Sequence, residues 1–217
     1  MTAADGRVDG WAGRRIGGWN AALIASVLLT VYLPVRLSAQ SLHVALGARY
    51  STPLVRDSIV APIAVRPAVG PLVLVTGALP LERGWTAEAV VHAGWAALHR
   101  DEPGGPATAL GTVGTIGAEL SLRRRLTDWG LAGRMGVGAL KYFAQRTGIF
   151  RDGAPPPSPL WSAGLRYDPR AGHGFAVEAR YDVHGLITPA LRGVGFTAPH
   201  VVHRAALLVN LRVAGTR

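Results

Sequence analysis

From residue 41 onward the chain repeats one pattern, in which apolar side chains alternate with small or polar ones until a turn interrupts them. Successive side chains of a β-strand point to opposite faces of the sheet, so a period of two predicts strands. A helix fits less well, because glycine recurs at every second position in places and weakens helices. The predicted strands cover 42–50, 71–80, 85–98, 110–125, 129–145, 159–168, 174–187 and 200–213.

The segment 174–187 shows the alternation most clearly. One face carries Phe175, Val177, Ala179, Tyr181 and Val183, and the other carries Ala176, Glu178, Arg180, Asp182 and His184. The other segments repeat this division into a continuous apolar face and a face with charges and glycines, except 71–80, which is apolar on both faces. Each predicted strand except 71–80 therefore meets an apolar medium on one side and a polar one on the other.

The composition indicates which medium is apolar. The 217 residues have a mean hydropathy of +0.24 and only 17% charged residues, whereas soluble domains typically carry about 25%. No apolar run beyond residue 40 approaches the roughly 20 residues that a transmembrane helix needs. Lipid admits only helices and closed barrels, because only these pair every backbone polar group. The sequence therefore predicts an all-β, antiparallel, up-and-down transmembrane barrel of eight strands.

Residues 1–39 have the pattern of a signal peptide. Arginines precede an apolar stretch at 21–35, Pro34 interrupts that stretch, and small residues at 38–39 follow. This order predicts cleavage after Ala39 and a mature barrel domain at 40–217. A retained membrane anchor is the alternative, although the apolar stretch is short for a membrane span. The general secretion route is favoured over twin-arginine export, because the residues after Arg14 and Arg15 match the latter poorly.

Connections between the predicted strands alternate between long and short. The gaps 51–70, 99–109, 146–158 and 188–199 are long and hold most prolines after residue 39, whereas 81–84, 126–128 and 169–173 are short. Outer-membrane barrels have short periplasmic turns and longer extracellular loops. The long gaps are therefore predicted to be surface loops at the extracellular end.

Aromatic residues on the apolar faces fall near the strand ends. Those beside the short turns are Trp85, Trp129, Tyr167 and Phe175, and those nearer the long loops are Tyr50, Trp95, Phe143 and Trp161. Amphipathic rings concentrate at both membrane interfaces of transmembrane barrels. A general preference of tryptophan and tyrosine for strands would explain their presence, but not their shared face. Two aromatic girdles are predicted.

With these features, residues 41–217 resemble the small eight-stranded outer-membrane barrels of bacteria, the OmpA-type and OmpX-type transmembrane domains. The resemblance rests on the pattern of strands and loops and implies residence in the outer membrane of a Gram-negative cell. It also implies contact with outer-membrane lipid and insertion by the barrel-assembly machinery. One feature departs from these families, since many such barrels end on an aromatic residue and this chain ends at Arg217.

The polar faces, assigned inward, place many charges inside the barrel. They are Arg49, Glu88, Glu119, Arg123, Arg134, Arg166, Glu178, Arg180, Asp182, Arg204 and Arg212. The interior of eight strands is just wide enough for side chains to fill it, and a buried charge persists only when paired. We therefore predict an ion-pair network in the lumen. A narrow positive conduit for small anions is the alternative use of the same residues.

Three functions remain open, and a structural or porin-like barrel with surface loops leads. Asp182 and His184 match an Asp-x-His element of outer-membrane proteases, so a barrel enzyme that hydrolyses lipid or peptide is the second. A soluble lipocalin-like barrel is the third, but it would need an apolar interior and a charged exterior. We predict no catalytic residue, no metal site and no cofactor, and a monomer whose surface ligand stays undefined.

Nucleic acid is not expected as a partner. The net charge of +10 would permit it. The arginines, however, are spread along the chain instead of forming a patch, and Arg123, Arg124 and Arg125 form the only run.

Overall fold

The computed structural model describes residues 41–57, 63–169 and 174–215. The signal peptide predicted at 1–39, with its cleavage site at Ala39, lies outside these residues. The described strands are β1 (Ser41–Ser51), β2 (Val55–Asp57), β3 (Ile63–Pro67), β4 (Gly70–Pro80), β5 (Trp85–Asp101), β6 (Thr108–Arg125), β7 (Leu131–Ala144), β8 (Ser158–Tyr167), β9 (Phe175–Leu186) and β10 (His200–Gly215). Among the described residues, helical structure is limited to 3-10 turns at Glu82–Gly84 and Gly148–Phe150 and a short α1 at Pro189–Gly193.

The strands form one antiparallel sheet that closes on itself. Strand β1 pairs with both β4 and β10, neighbours in the chain then pair from β4 to β10, and the β5–β6 pairing completes the ring. Leu46 illustrates the seam, since it lies opposite Val73 of β4 and Val209 of β10. The ring contains eight strands, β1 and β4 to β10, so the predicted eight-stranded barrel is confirmed.

The long connection predicted at 51–70 is partly a β-hairpin. Strands β2 and β3 pair within it, and β3 also pairs with the far end of β5. The amide of Ala68 donates to the carbonyl of Ala97 over 2.8 Å, which bridges the break between β3 and β4. These bonds explain why β5 runs to Asp101 instead of ending at residue 98, because β3 pairs with the part of β5 that extends beyond the barrel ring.

Two smaller differences concern turns. The connection 188–199 contains α1, which Thr188 caps by accepting a hydrogen bond from the Leu191 amide over 3.3 Å. Trp129 lies in the turn between β6 and β7, since β7 begins at Leu131. The hydroxyl of Thr127 stabilises this turn by accepting a hydrogen bond from the Leu131 amide at 3.1 Å. The turn therefore ends two residues later than the alternation suggested, since the predicted strand began at residue 129.

Side chains alternate between the outside and the inside of the ring. On β10, Leu207 is 62% exposed and Leu208 is 0% exposed, and on β9 the burial changes at every residue from Phe175 to Asp182. The exposed members are apolar and the buried members include charges. The barrel is therefore apolar outside and polar inside. Among the described residues, no helix is both long enough and apolar enough to span a membrane.

Candidate functional site in the barrel interior

The outer surface sets the environment of the interior. The eight aromatic residues of the predicted girdles are all exposed, namely Tyr50, Trp85, Trp95, Trp129, Phe143, Trp161, Tyr167 and Phe175. At the short-turn end, the rings of Trp129 and Tyr167 lie 5.6 Å apart, and the guanidinium of Arg124 lies 5.3 Å from the ring of Trp85. Exposed apolar side chains along all the ring strands suit lipid and not water. The chain is thus a transmembrane β-barrel of the outer-membrane type.

Arg134 of β7 lies at the centre of the charged interior. Its Nη1 donates to Glu178 Oε1 of β9 at 2.8 Å, and its Nη2 donates to Glu119 of β6. The same Nη2 also donates to the hydroxyl of Ser121 at 3.0 Å. Arg134 thereby joins two carboxylates from strands on either side of it, as the forked shape of a guanidinium allows.

Arg180 of β9 forms the second centre of the interior. Its Nη1 and Nη2 donate to the two oxygens of Glu119 over 2.9 and 2.8 Å, which is a bidentate pair across the lumen. Its Nε donates to Asp182 Oδ1 at 2.7 Å. Glu119 consequently accepts from both arginines, and all of these side chains are almost wholly buried. Charge-assisted bidentate bonds are among the strongest hydrogen bonds in proteins.

Further hydrogen bonds to Glu88 and Glu178 extend the network. Arg123 donates from Nε to Glu88 Oε1 at 2.7 Å, and Ser121 donates to Glu88 Oε2 at 3.4 Å. Asn210 of β10 donates to Glu178 Oε2 at 3.3 Å. The structure thus brings together Arg123, Glu88, Arg134, Glu119, Glu178, Arg180 and Asp182 from the predicted set.

Of the other four arginines in that set, Arg49, Arg166 and Arg204 are buried but lie beyond ion-pair distance of these carboxylates. Arg166 donates to His43 Nδ1 over 3.4 Å, Arg204 donates to Tyr142, and Arg49 lines a separate cavity. Arg212 is exposed, because β9 begins opposite Leu211 and β10 continues to Arg212 beyond the first residue of that neighbouring strand. Its part in the interior network stays a prediction.

A tyrosine that the sequence did not single out lies between two predicted groups. The hydroxyl oxygen of Tyr142 accepts from Arg204 Nη2 at 2.8 Å, and the hydroxyl lies 2.6 Å from His184 Nε2. The Arg204 guanidinium also lies over the Tyr142 ring, 5.2 Å from its centre. Tyr142 occupies an inward position on β7, and that alternation was the signal that could have identified it.

An apolar cluster fills the interior towards the long loops. It contains Leu98, Leu140, Leu160, Leu186 and Val202 from the strands, with Leu54 and Phe150 contributed by loops. We call these seven residues the apolar cap. Each is buried, and Leu54 and Leu140 are fully so. The sequence predicted many charges in the interior but no apolar cluster at this end, which the structure shows.

Asp182 and His184 do not act on one another in this arrangement. The carboxylate of Asp182 bonds to Arg180, while His184 contacts Tyr142. Both are buried, and Leu186, the next inward residue of β9, belongs to the apolar cap. Across the described residues, no group of three histidines or carboxylates is placed to hold a metal ion.

No known family matches the sequence, and no curated protein matches it. Solved structures similar to the chain include the outer-membrane protein Ail of Yersinia pestis in a phospholipid nanodisc. The two sequences are 14% identical, the match covers 80% of this chain and 99% of Ail, and the TM-score is 0.48. OprG of Pseudomonas aeruginosa has 10% identity, coverage of 80% and 93%, and a TM-score of 0.43. The outer-membrane protein AlkL has 15% identity, coverage of 82% and 94%, and a TM-score of 0.44. The ring of eight strands and the facing of its side chains are the features that assign the fold.

Proposed function

We propose that this protein is a structural barrel of the outer membrane, closed to solutes, that displays its long connections at the cell surface. The observation that carries the proposal is the apolar cap. Hydrophobic side chains across the mouth of a narrow barrel leave no polar path for an ion or a hydrophilic solute. The porin-like alternative requires such a path.

The charged layer below the cap supports the same conclusion. Arg134, Arg180, Glu119 and Glu178 meet across the lumen, and none of them is more than 4% exposed. Guanidiniums bound to carboxylates on other strands cannot move aside without leaving a partner unpaired. The pairs therefore act as a polar core that fills the barrel and not as the lining of a channel.

The enzyme and lipocalin alternatives are less well supported. Hydrolysis by Asp182 and His184 would need a substrate and water to reach two side chains that lie beneath the apolar cap. A lipocalin would bury its aromatic rings and expose its arginines, and here the rings face outward. The proposed partners are outer-membrane lipid along the apolar exterior and the assembly machinery, with the chain as a monomer and without nucleic acid.

Planar-bilayer recording tests the proposal. The refolded protein is added to a bilayer, and its insertion is verified by a folded band that migrates differently from the heated one. We expect no stable current steps, whereas a general porin in the same bilayer gives them. The variant carrying Leu54→Ser and Phe150→Ser removes the loop part of the apolar cap and should leave the barrel folded. Stable current steps from the wild-type protein would contradict the proposed closed barrel.

A further inference from the structure

Three buried arginines of the interior, Arg49, Arg166 and Arg204, have no carboxylate of the described residues within ion-pair distance, and two of them, Arg49 and Arg204, lie together. Arg49 is 7% exposed and Arg204 is 2% exposed. In the described part of the chain, no carboxylate lies within ion-pair distance of either guanidinium, while every interior carboxylate named above is bonded to another arginine. A buried charge is costly unless it is paired. Asp182 lies opposite Arg204 in the register of β9 and β10, but its carboxylate is bonded to Arg180, so Arg49 and Arg204 have no carboxylate of their own among the described residues.

Both guanidiniums line one small cavity in the lumen. Its polar lining consists of Arg49 and Arg204 with the side chains of Ser51, Thr115 and Tyr142, and its remaining lining residues are uncharged. The cavity has a volume of about 10 Å³, which matches a single particle about the size of a water molecule. It lies directly below the apolar cap.

The donors in this cavity exceed the acceptors. Nη1 of Arg49 and both Nε and Nη1 of Arg204 are buried without a hydrogen-bond partner among the described residues. The remaining amino group of Arg204 donates to Tyr142, whose hydroxyl is shared with His184. Ser51 donates to the carbonyl of Thr52 at 3.1 Å, so its hydroxyl is also engaged. Three guanidinium nitrogens of two cations therefore have no acceptor among the described residues, and the side chains that line the cavity offer only hydroxyl oxygens.

We propose that this cavity binds one monatomic anion, a halide such as chloride, held by Arg49 and Arg204. Phosphate, sulfate and carboxylates need room for several heavy atoms, whereas a monatomic halide, slightly larger than water, needs only a small outward shift of the lining side chains. Water would offer two lone pairs but would bring two protons of its own and no charge. A halide can accept hydrogen bonds from all three nitrogens and offsets one of the two positive charges. The ion is a structural component of the closed barrel, so this site goes beyond the function proposed above.

Urea unfolding at constant ionic strength tests the site, with chloride replaced stepwise by gluconate. A ligand that binds only the folded state lowers the unfolding equilibrium constant in proportion to its concentration once its dissociation constant is exceeded. We expect a tenfold increase in chloride to lower that constant about tenfold in the wild type. Arg49→Gln should abolish the dependence on chloride. Arg151→Gln is the matched control, because this loop arginine is largely exposed and its removal should leave the dependence intact.

The stability in gluconate alone separates an ion site from an ordinary structural arginine. Arg49→Gln should be no less stable than the wild type there, because it removes a buried charge that has lost its counter-ion. Crystals grown in bromide should show an anomalous peak between Arg49 and Arg204. Equal stability of the wild type in chloride and gluconate, or a bromide map without a peak at the cavity, would overturn the proposal. Should Arg49→Gln fail to fold, Arg204→Gln and the bromide map decide the question.

Discussion

Replacing Glu119 by glutamine perturbs the most connected carboxylate of the interior. Glu119 accepts two hydrogen bonds from Arg180 and one from Arg134, and its side chain is wholly buried. Glutamine has the same shape, but it carries no charge and turns one acceptor into a donor. One N–H of a guanidinium would then face an N–H of the amide. Arg134 and Arg180 would stay in the lumen with less negative charge to balance their positive charges.

The expected loss of stability follows from what each arginine retains. Removing one partner of a buried ion pair typically costs about 3–5 kcal/mol. Arg134 keeps Glu178 and Arg180 keeps Asp182, so neither cation becomes fully unpaired. The lower end of that range, about 3 kcal/mol, is therefore expected for Glu119→Gln.

The measurement is equilibrium urea unfolding in lipid vesicles, followed by tryptophan fluorescence and by the heat-modifiable gel shift. Glu102→Gln is the matched control, since it removes the same charge from an exposed pair with Arg100 at 2.9 Å. Surface pairs contribute about 0–1 kcal/mol and weaken with salt. A loss at Glu119 no larger than the loss at Glu102, or one that disappears at high salt, would refute the buried network as a source of stability.

Three other expectations follow from the facing and the glycines. Arginine at the lipid-facing midplane of a barrel costs about 2–4 kcal/mol and much less near the interface, so Leu207→Arg should reduce the folded fraction in vesicles well below that of Val201→Arg. Gly138→Ala should destabilise the barrel in urea by about 1–3 kcal/mol, since its new Cβ would collide with a carbonyl of β6, whereas Gly105→Ala meets open space and should change nothing. A protease-cleavable tag inserted at the half-buried loop residue Gly153 should be cut on intact cells, and protection of the tag in outer-membrane protein would reverse the orientation.

The alternation of the sequence predicts the barrel well because it reports the two media directly. Each inward position on β9 from Ala176 to His184 is buried and each outward one from Phe175 to Tyr181 is exposed, as the pattern indicated. Strand ends also fall within three residues of the prediction in the eight ring strands. Lipid on one side and a narrow lumen on the other impose the same constraint on every strand, so local sequence is sufficient.

The interior is less predictable, because it depends on which side chains meet across the lumen. Alternation identifies Arg49 and Arg180 equally as inward residues, yet only Arg180 finds carboxylates. Leu54 and Phe150 come from loops, which have no periodicity to place them in the apolar cap. Leu140 and Leu160 are on the inward faces of their strands, and their apolar character near the long loops was the signal for that cap.

The ion pairs also explain how the strand register is fixed in a barrel without a water-exposed face. Lipid is as apolar as the outer side chains, so burying those side chains against lipid distinguishes registers poorly. Arg134 of β7 and Arg180 of β9, by contrast, both reach Glu119 of β6, so the network ties strands that are not neighbours. A slip of one residue would turn a whole strand over and move these charges from carboxylate partners into lipid. The charged layer thus penalises a one-residue slip twice, through the pair that is lost and through the arginine that is exposed to lipid, and a two-residue slip once, through the lost pair.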